Sequence, residues 1–499
     1  MIKSLLVANR GEIACRIFQT CRELGIRTIA VYSDADAGLR FVREADVAIR
    51  LGPGPASESY LRADLILAAA IEHGADAIHP GYGFLSERAE FAEACIAAGI
   101  RFVGPSGAAM RKLGTKADAK TLARLAEVPS VPGFEGQGRL EELQAAAVGI
   151  GYPVMLKASS GGGGRGMRIV HDPSAFADEF HLASDEALKS FGDGTMLVEK
   201  YVRNPRHVEV QFIADGHGNV ATLFERECSI QRRHQKLIEE APAAREVPWE
   251  AMREATRKLV LAAEYENAGT AEFIVDPETD AFYFLEVNAR LQVEHPVTEA
   301  ITGVDLVAEQ IRVASGLPLS FPQRLIDGER SEIFGHAIEA RIVAENPGKG
   351  FVPSLGKIRA WLTPRNPHIR VDSGFEVGDE VSRFYDSMLA KIIAHGPDRV
   401  TAVHRLRAAL LDLHILGVDT NAGLIIDLLA DETFRSGHIH TGTLATFLET
   451  WSVPEPGPEL ALVAAKATQV LMTGPTSGPA IQNDQPAWSM LDGFRNARS

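Results

Sequence analysis

KASSGGGGRGMRIV, residues 157–170, sets four glycines in a row, a fifth after Arg165, and a lysine at the root of the run. The residues before it, YPVMLKAS, and after it, GMRIVHD, are both β-like, so the segment reads strand–loop–strand. Gly161, Gly163 and Gly166 match GxGxxG literally, but a dinucleotide loop opens a helix, and none follows here. The Walker reading fails because GK[ST] is missing. A bare hairpin loop can instead fold down over a polyphosphate and offer backbone N–H groups at close range, since no side chain intervenes. Lys157 ends the first strand, placed to reach the same phosphates. The plainer alternative is a flexible hairpin tip. Protein kinases also cover ATP with a glycine hairpin, but HRD and DFG are absent downstream, which leaves another ATP-dependent architecture.

Around this hairpin the chain divides. Upstream, VPSVPGFEGQG at 128–138 is rich in proline and glycine and reads as a hinge into a small unit of about residues 130–203. Before it, SLLVA, RTIAVYS, DVAIRL, ADAIHPG and RFVGP alternate with helical stretches, the first closed by Gly25 and the last running from Glu87 to Ala98. That alternation implies a doubly wound parallel sheet, Rossmann-like in its winding. Its first turn, ANRGEIA, has one glycine, so no nucleotide is placed there. HPGYGFLSE, residues 79–87, lies at the C-terminal end of an expected parallel strand, where such sheets bind ligands, although its glycines would serve a plain turn equally well. From Ser331 the pattern changes to strands (EARIVAE, GKIRAWL, HIRVD, SMLAKIIAHG) followed by helices. The expected units are residues 1–114, 115–330, 331–448 and a tail at 449–499, with α/β and α+β parts.

The hairpin calls for a metal site, and GTAEFIVDPETDAFYFLEVNARLQVEHP, residues 269–296, supplies one. AEFIV and AFYFLEV flank the turn DPETD, so they should pair antiparallel, with Glu272 on one strand and Glu286 on the other. Two carboxylates face each other on adjacent strands only around something cationic, and Mg²⁺ takes one or two carboxylates plus ATP phosphates. Beyond this, Glu286, Asn288, Arg290, Gln292 and Glu294 alternate with Val287, Ala289, Leu291 and Val293. If the chain stays extended, period two places all five polar groups on one side. The order reads as metal ligands, an anion clamp and a base; the competing reading is an edge strand with a solvated face. ERECSIQRRHQK adds Gln231, His234 and Lys236 among arginines, equally readable as a solvated face or as a pocket for a small anion. His207, at a strand start, would by itself more often be structural.

The totals bound the partners. A chain of 499 residues with 45% hydrophobic and 23% charged residues has ample material for several cores. A formal net charge of -15 argues against a nucleic-acid or acidic-membrane surface, so any anion site is a local basic pocket. The four cysteines form no CxxC pair and suit reduced thiols in the cytoplasm. No stretch reaches the ~18 apolar residues of a membrane span.

ANRGEIA, HPGYGFLSE, KASSGGGGRGM, EKYVRNPRHVEVQ, ECSIQRRHQK, EEAPA, LEVNARLQVEHPVTE, HAIEARIVAE and FYDSMLAKI, in this order, strongly resemble biotin carboxylase, an ATP-grasp ligase that is the ATP-using component of acyl-CoA carboxylases. The resemblance covers about residues 2–448. It implies an ATP-grasp fold whose glycine-rich lid is the hairpin, followed by a biotin carboxylase C-terminal domain. It implies that Lys116, Lys157 and the lid glycines Gly162, Gly163 and Gly164 hold ATP phosphates, that Glu199 and Val202 face the adenine, and that His207, Gln231 and His234 surround the nucleotide. Glu272, Glu286 and Asn288 would bind Mg²⁺, or Mn²⁺ in its place. Lys236, Arg290, Gln292 and Val293 would hold bicarbonate, with Glu294 as its general base. Arg341 would stabilise the enolate-like oxygen of biotin, and Tyr82 would line the biotin site.

The expected reaction is ATP-dependent carboxylation of biotin by bicarbonate through carboxyphosphate. The implied partners are a biotin carboxyl carrier protein or biotinyl domain, a carboxyltransferase subunit, and a second copy in a homodimer or larger complex. PAWSMLDGFRNARS at the end resembles the segment that, in long fused α subunits, leads towards the biotinyl region. No Met-Lys-Met for biotin attachment follows, so biotin is expected on another chain, or the sequence is part of a longer subunit. Two rivals stand beside this reading. One is another carboxylate-activating ATP-grasp ligase, which would share the lid and metal strands but not HPGYGFLSE or EARIVAE. The other is a non-catalytic nucleotide-binding subunit, against which an intact Arg290 and Glu294 argue.

Overall fold

The first hundred residues wind as their alternation predicts. In the computed structural model, which describes residues 1–114, 116–134, 139–158, 167–191, 193–233 and 235–453, β1 (Ser4–Val7), β2 (Arg27–Ser33), β3 (Val47–Gly52), β4 (Ala77–His79) and β5 (Arg101–Phe102) form a parallel sheet in the order β3-β2-β1-β4-β5. Helix α1 (Gly11–Glu23) follows β1 and buries one flank, Ile13, Ile17 and Phe18 included. A short helix at Arg40–Glu44, unmarked by any cap signal, was not foreseen.

The stretches on either side of the glycine run are strands that pair antiparallel, as expected. β6 (Gly133–Phe134), β7 (Val154–Ala158), β8 (Met167–Val170) and β9 (Met196–Lys200) make an antiparallel sheet in the order β6-β9-β7-β8. Leu156, Val198, Phe176 and Leu143 give this small unit its own core. Gly162, Gly163, Gly164 and His234 lie outside the described residues, as does the side chain of Lys116.

The largest sheet is antiparallel and eight-stranded. It contains β10 (Arg206–Ala214), β11 (Val220–Arg232), β12 (Gln235–Ala241), β13 (Asn267–Val275), β14 (Phe282–Asn288), β15 (His336–Val343), β16 (Ile369–Ser373) and β17 (Met388–Gly396), in the order β14-β13-β10-β11-β12-β15-β17-β16. Because β12 pairs with β15, one sheet passes through the change of pattern at residue 331. Alternation gives β10 two buried faces: Val208, Val210 and Phe212 join the apolar core, while His207, Glu209 and Gln211 are directed to the other side. That polar side is the floor of the site. No helix among the described residues is long and apolar enough to cross a membrane.

Candidate active site

Directly opposed residues run across the floor as Arg226–Glu209–Glu272–Glu286, on β11, β10, β13 and β14. The expected antiparallel pairing of Glu272 with Glu286 is therefore present. Like charges opposite one another are unfavourable, so this row requires cations. Arg226 is wholly buried and donates to Glu209 Oε1 at 2.6 Å, Gln211 Oε1 at 2.6 Å and Thr270 Oγ1 at 3.1 Å. Lys236, entering from β12, donates to Glu209, to Glu272 Oε1 at 2.9 Å and to Glu294 Oε1 at 2.6 Å. Burial works against its ammonium, and the surrounding Cys228, Glu209, Glu294 and Glu272 outweigh that and hold it charged.

The polar run after β14 does not stay extended. The strand ends at Asn288, and residues 289–294 turn into α2 (His295–Thr302), whose first turn holds Pro296. Proline lacks the N–H that a strand ladder uses but a helix start does not need. The side chains still converge, through the turn rather than through strand period. Asn288 Nδ2 and Gln292 Nε2 donate to Glu272 Oε1 at 2.8 and 3.4 Å. Arg290 donates to Gln292 Oε1 at 3.0 Å, to Asn288 Oδ1 at 3.2 Å and to Glu87 Oε2 at 3.1 Å.

Glu294, fully buried at the start of α2, lies between Lys236 on Oε1 and Arg341 on Oε2, the latter at 2.9 Å. Burial alone would raise its pKa; Lys236, Arg341 and Arg226 outweigh it and hold the carboxyl well below the usual range. Arg341 is itself fixed by Glu239 Oε1 at 2.6 Å. His207 Nε2 lies 2.8 Å from Glu272 Oε2. Burial likewise raises Glu272, and Lys236 and His207 reverse the direction.

Oxygen donors from Glu272, Glu286 and Asn288 on two adjacent strands fit a hard divalent cation. In the small hairpin unit and the helix before it, Lys157 and Lys120 both pair with Glu199, Lys120 at 2.7 Å, and Val202 is buried. Gln231 pairs in register with Lys236. Tyr82 is not joined to this network by any hydrogen bond; its hydroxyl is buried without a partner among the described residues.

Sequence reasoning singled out neither Glu209, Arg226, Glu239, Glu87 nor Lys120. The signal for Glu209 was available: His207, Glu209 and Gln211 alternate in HVEVQ as the later polar run does.

Three family models match in succession: "Biotin carboxylase, N-terminal domain" over residues 1–110, "Carbamoyl-phosphate synthase L chain, ATP binding domain" over 115–321, and "Biotin carboxylase C-terminal domain" over 339–446. The chain is 50% identical over 446 residues to the mitochondrial methylcrotonoyl-CoA carboxylase subunit alpha of Oryza sativa subsp. japonica, covering 88% of this chain and 60% of that one. It is 48% identical to the mitochondrial propionyl-CoA carboxylase alpha chain of Homo sapiens, with the same coverages. The chain thus spans about 60% of the length of these relatives. Among solved structures it resembles the biotin carboxylase domain of Hydrogenobacter thermophilus 2-oxoglutarate carboxylase, a complex with MgADP, ADP and bicarbonate. There the identity is 44% and the TM-score 0.81, over 91% of this chain and 100% of that one.

Proposed function

The chain belongs to the biotin carboxylase family, and on that footing we propose that it carboxylates biotin, using ATP and bicarbonate, as the first half-reaction of an acyl-CoA carboxylase. The observation that carries the reading is Glu294, a buried carboxylate held ionised between Lys236 and Arg341 beside the donors of Arg290 and Gln292. A base, an anion clamp and a cationic oxygen-binder meet there.

Bicarbonate is a poor nucleophile until its proton is removed. As it binds, it shares the ammonium of Lys236 and the guanidinium of Arg290. Glu294 then loses part of the field that keeps it ionised and gains proton affinity. A bicarbonate oxygen attacks the γ-phosphate, the bond to ADP breaks, and carboxyphosphate forms. Charge grows on the transferring oxygens, where Lys157 and Lys116 are assigned. Mg²⁺, held by Glu272, Glu286 and Asn288, neutralises part of that charge when bound. Carboxyphosphate hydrolyses readily, so the lid glycines Gly162, Gly163 and Gly164 must exclude water. Its C–O bond breaks to give CO₂ and phosphate, and the phosphate takes the ureido proton of biotin. Arg341, always cationic, stabilises the resulting oxygen anion, and the nitrogen attacks CO₂. Tyr82, whose hydroxyl is buried without a partner among the described residues, is assigned to line the biotin site.

The remaining assignments keep Glu199, Val202, His207, Gln231 and His234 around the nucleotide. The domain limits stay at 1–114, 115–330 and 331–448, with a tail at 449–499. Biotin arrives on a carrier protein or biotinyl domain, the carboxyl passes to a carboxyltransferase subunit, and the chain works as a homodimer or in a larger complex. Four buried free thiols suit a reducing compartment, and we place the protein in the cytoplasm, although the rice and human relatives are mitochondrial by name.

The test is phosphate release by the purified chain with Mg²⁺, with and without bicarbonate and free biotin. Turnover should require bicarbonate, rise with biotin, and fall by at least about 10²-fold in Glu294→Gln, the usual size of a lost general base. Turnover indifferent to bicarbonate would favour a different ATP-grasp substrate.

A further inference from the structure

Past Asn288 the chain leaves the sheet, so its backbone polar groups need partners other than a ladder. Side chains provide them. Ala289 N donates to Glu87 Oε1 at 3.0 Å, Leu291 O accepts from Arg290 Nη1 at 3.3 Å, and Gln292 O accepts from His295 Nδ1 at 2.7 Å. The peptide between Val293 and Glu294 is held from much farther along the chain. Lys391 on β17 donates from Nζ to Val293 O at 2.8 Å.

Lys391 is wholly buried. Its acidic neighbours are Glu12 Oε2 at 3.4 Å, on α1, Asp372 Oδ2 at 3.7 Å, on β16, and, without a direct ion pair, the buried Glu339 on β15. Asp372 is already engaged by Arg370, bidentately at 2.8 Å on each oxygen. A buried ammonium whose acidic neighbours are loosely placed, shared or out of direct contact is a poor device for stability, since well-packed apolar residues do as well or better. Its shortest bond is to the backbone of the loop. In register, Lys391 lies opposite Arg341 on one side and Asp372 on the other, so the clamp is built into the sheet that also carries the biotin arginine.

We propose that Lys391 is a positioning residue for the bicarbonate subsite: by holding Val293 O it fixes the peptide that joins a bicarbonate-holding residue to the base Glu294. This rests on the function proposed above. Lys391 touches no substrate; it acts through residues 293 and 294. Displacing a reacting group by about an ångström costs up to about 10²-fold, so loosening this peptide weakens bicarbonate use while ATP, held by other elements, is bound as before.

The test uses the full chain in steady-state phosphate release, with bicarbonate and ATP varied separately. Lys391→Met would strand the Glu12 carboxylate, so the main variant is Lys391→Met combined with Glu12→Gln, which buries no unpaired charge from that pair. Its KM for bicarbonate should rise about tenfold while its KM for ATP stays within about twofold. Glu12→Gln alone keeps the bond to Val293 and should keep the wild-type KM for bicarbonate. Lys391→Arg keeps a cation beside Glu12 but meets Val293 O with a different geometry, and covers the case in which the double variant fails to fold; its KM for bicarbonate should rise too. Unchanged bicarbonate KM in the folded Lys391 variants, or equal rises for both substrates, would overturn the inference. Wild-type turnover that ignores bicarbonate would instead remove the proposed function, and this inference with it.

Discussion

Glu294 is ionised because two cations reach it, one on each oxygen, and each of those cations is shared. Lys236 also serves Glu209 and Glu272, and Arg341 also serves Glu239. The proposed base is thus set by cations that it shares with other carboxylates, and a bound anion would redistribute them. Glu240 offers a cleaner measurement of the same physics, away from substrate. Burial would raise its pKa, but Arg399 at 2.6 Å and His336 at 2.8 Å hold it at about 2. Between about pH 2 and 4.5 the unfolded carboxyl binds a proton that the folded one does not, so stability rises with pH across that window. The contribution, on the order of 3 kcal/mol, is present above about pH 4.5 and lost as pH falls towards 2. Urea midpoints of wild type and Glu240→Gln should differ most at pH 6 and converge below about pH 4.5; a gap independent of pH would refute this. At this scale the sequence showed Glu272 and Glu294 through their spacing. It hid Lys391, because a lone lysine in an apolar strand gains meaning only when the fold sets Val293 against it.

Strand β14 and helix α2 meet within six residues, and most of the side chains proposed to bind the anion come from that junction. Its legibility was partial for a physical reason. Alternation reports an extended chain, and the sequence does alternate from 286 to 294, but Pro296 and the start of α2 end the ladder at Asn288. The strands flanking the glycine run, by contrast, were readable as β7 and β8, because no helix signal followed the glycines. A second junction ties α1 to the turn after β16. A Cβ on Gly374 would lie 2.7 Å from Gly11 Cα and closer still to Gly11 C and Glu12 N. These are backbone atoms and cannot swing aside. Gly374→Ala should therefore cost about 1–3 kcal/mol by overpacking, read as a lower urea midpoint. A wild-type midpoint would mean that α1 is not seated there. Because Glu12 neighbours Lys391, bicarbonate KM should be followed in the same variant.

Over the whole molecule, three cores support one chemistry. The parallel sheet shares its apolar core with β10 and β13, the small hairpin unit keeps its own, and the C-terminal strands with the helix Arg399–Leu411 form a third. The alternation of strands and helices announced the first, and the turn at DPETD announced the pairing of β13 with β14. The continuity of the large sheet from β14 to β16 was not legible, because strand order across β12 and β15 depends on contacts about a hundred residues apart. That continuity places Arg341 and Lys391 in the same sheet as Glu272 and Glu286, so the residues proposed for biotin, for the bicarbonate subsite and for the metal belong to one sheet. The central claim is that bicarbonate itself attacks the γ-phosphate at this site. The direct measurement is mass analysis of the phosphate released from unlabelled ATP in a brief reaction with ¹⁸O-bicarbonate. The account predicts one labelled oxygen in each phosphate and none in ADP, since the bridging oxygen of carboxyphosphate stays with phosphorus. Phosphate released without label, at a rate equal to ADP formation, would mean that water is the nucleophile and would contradict it.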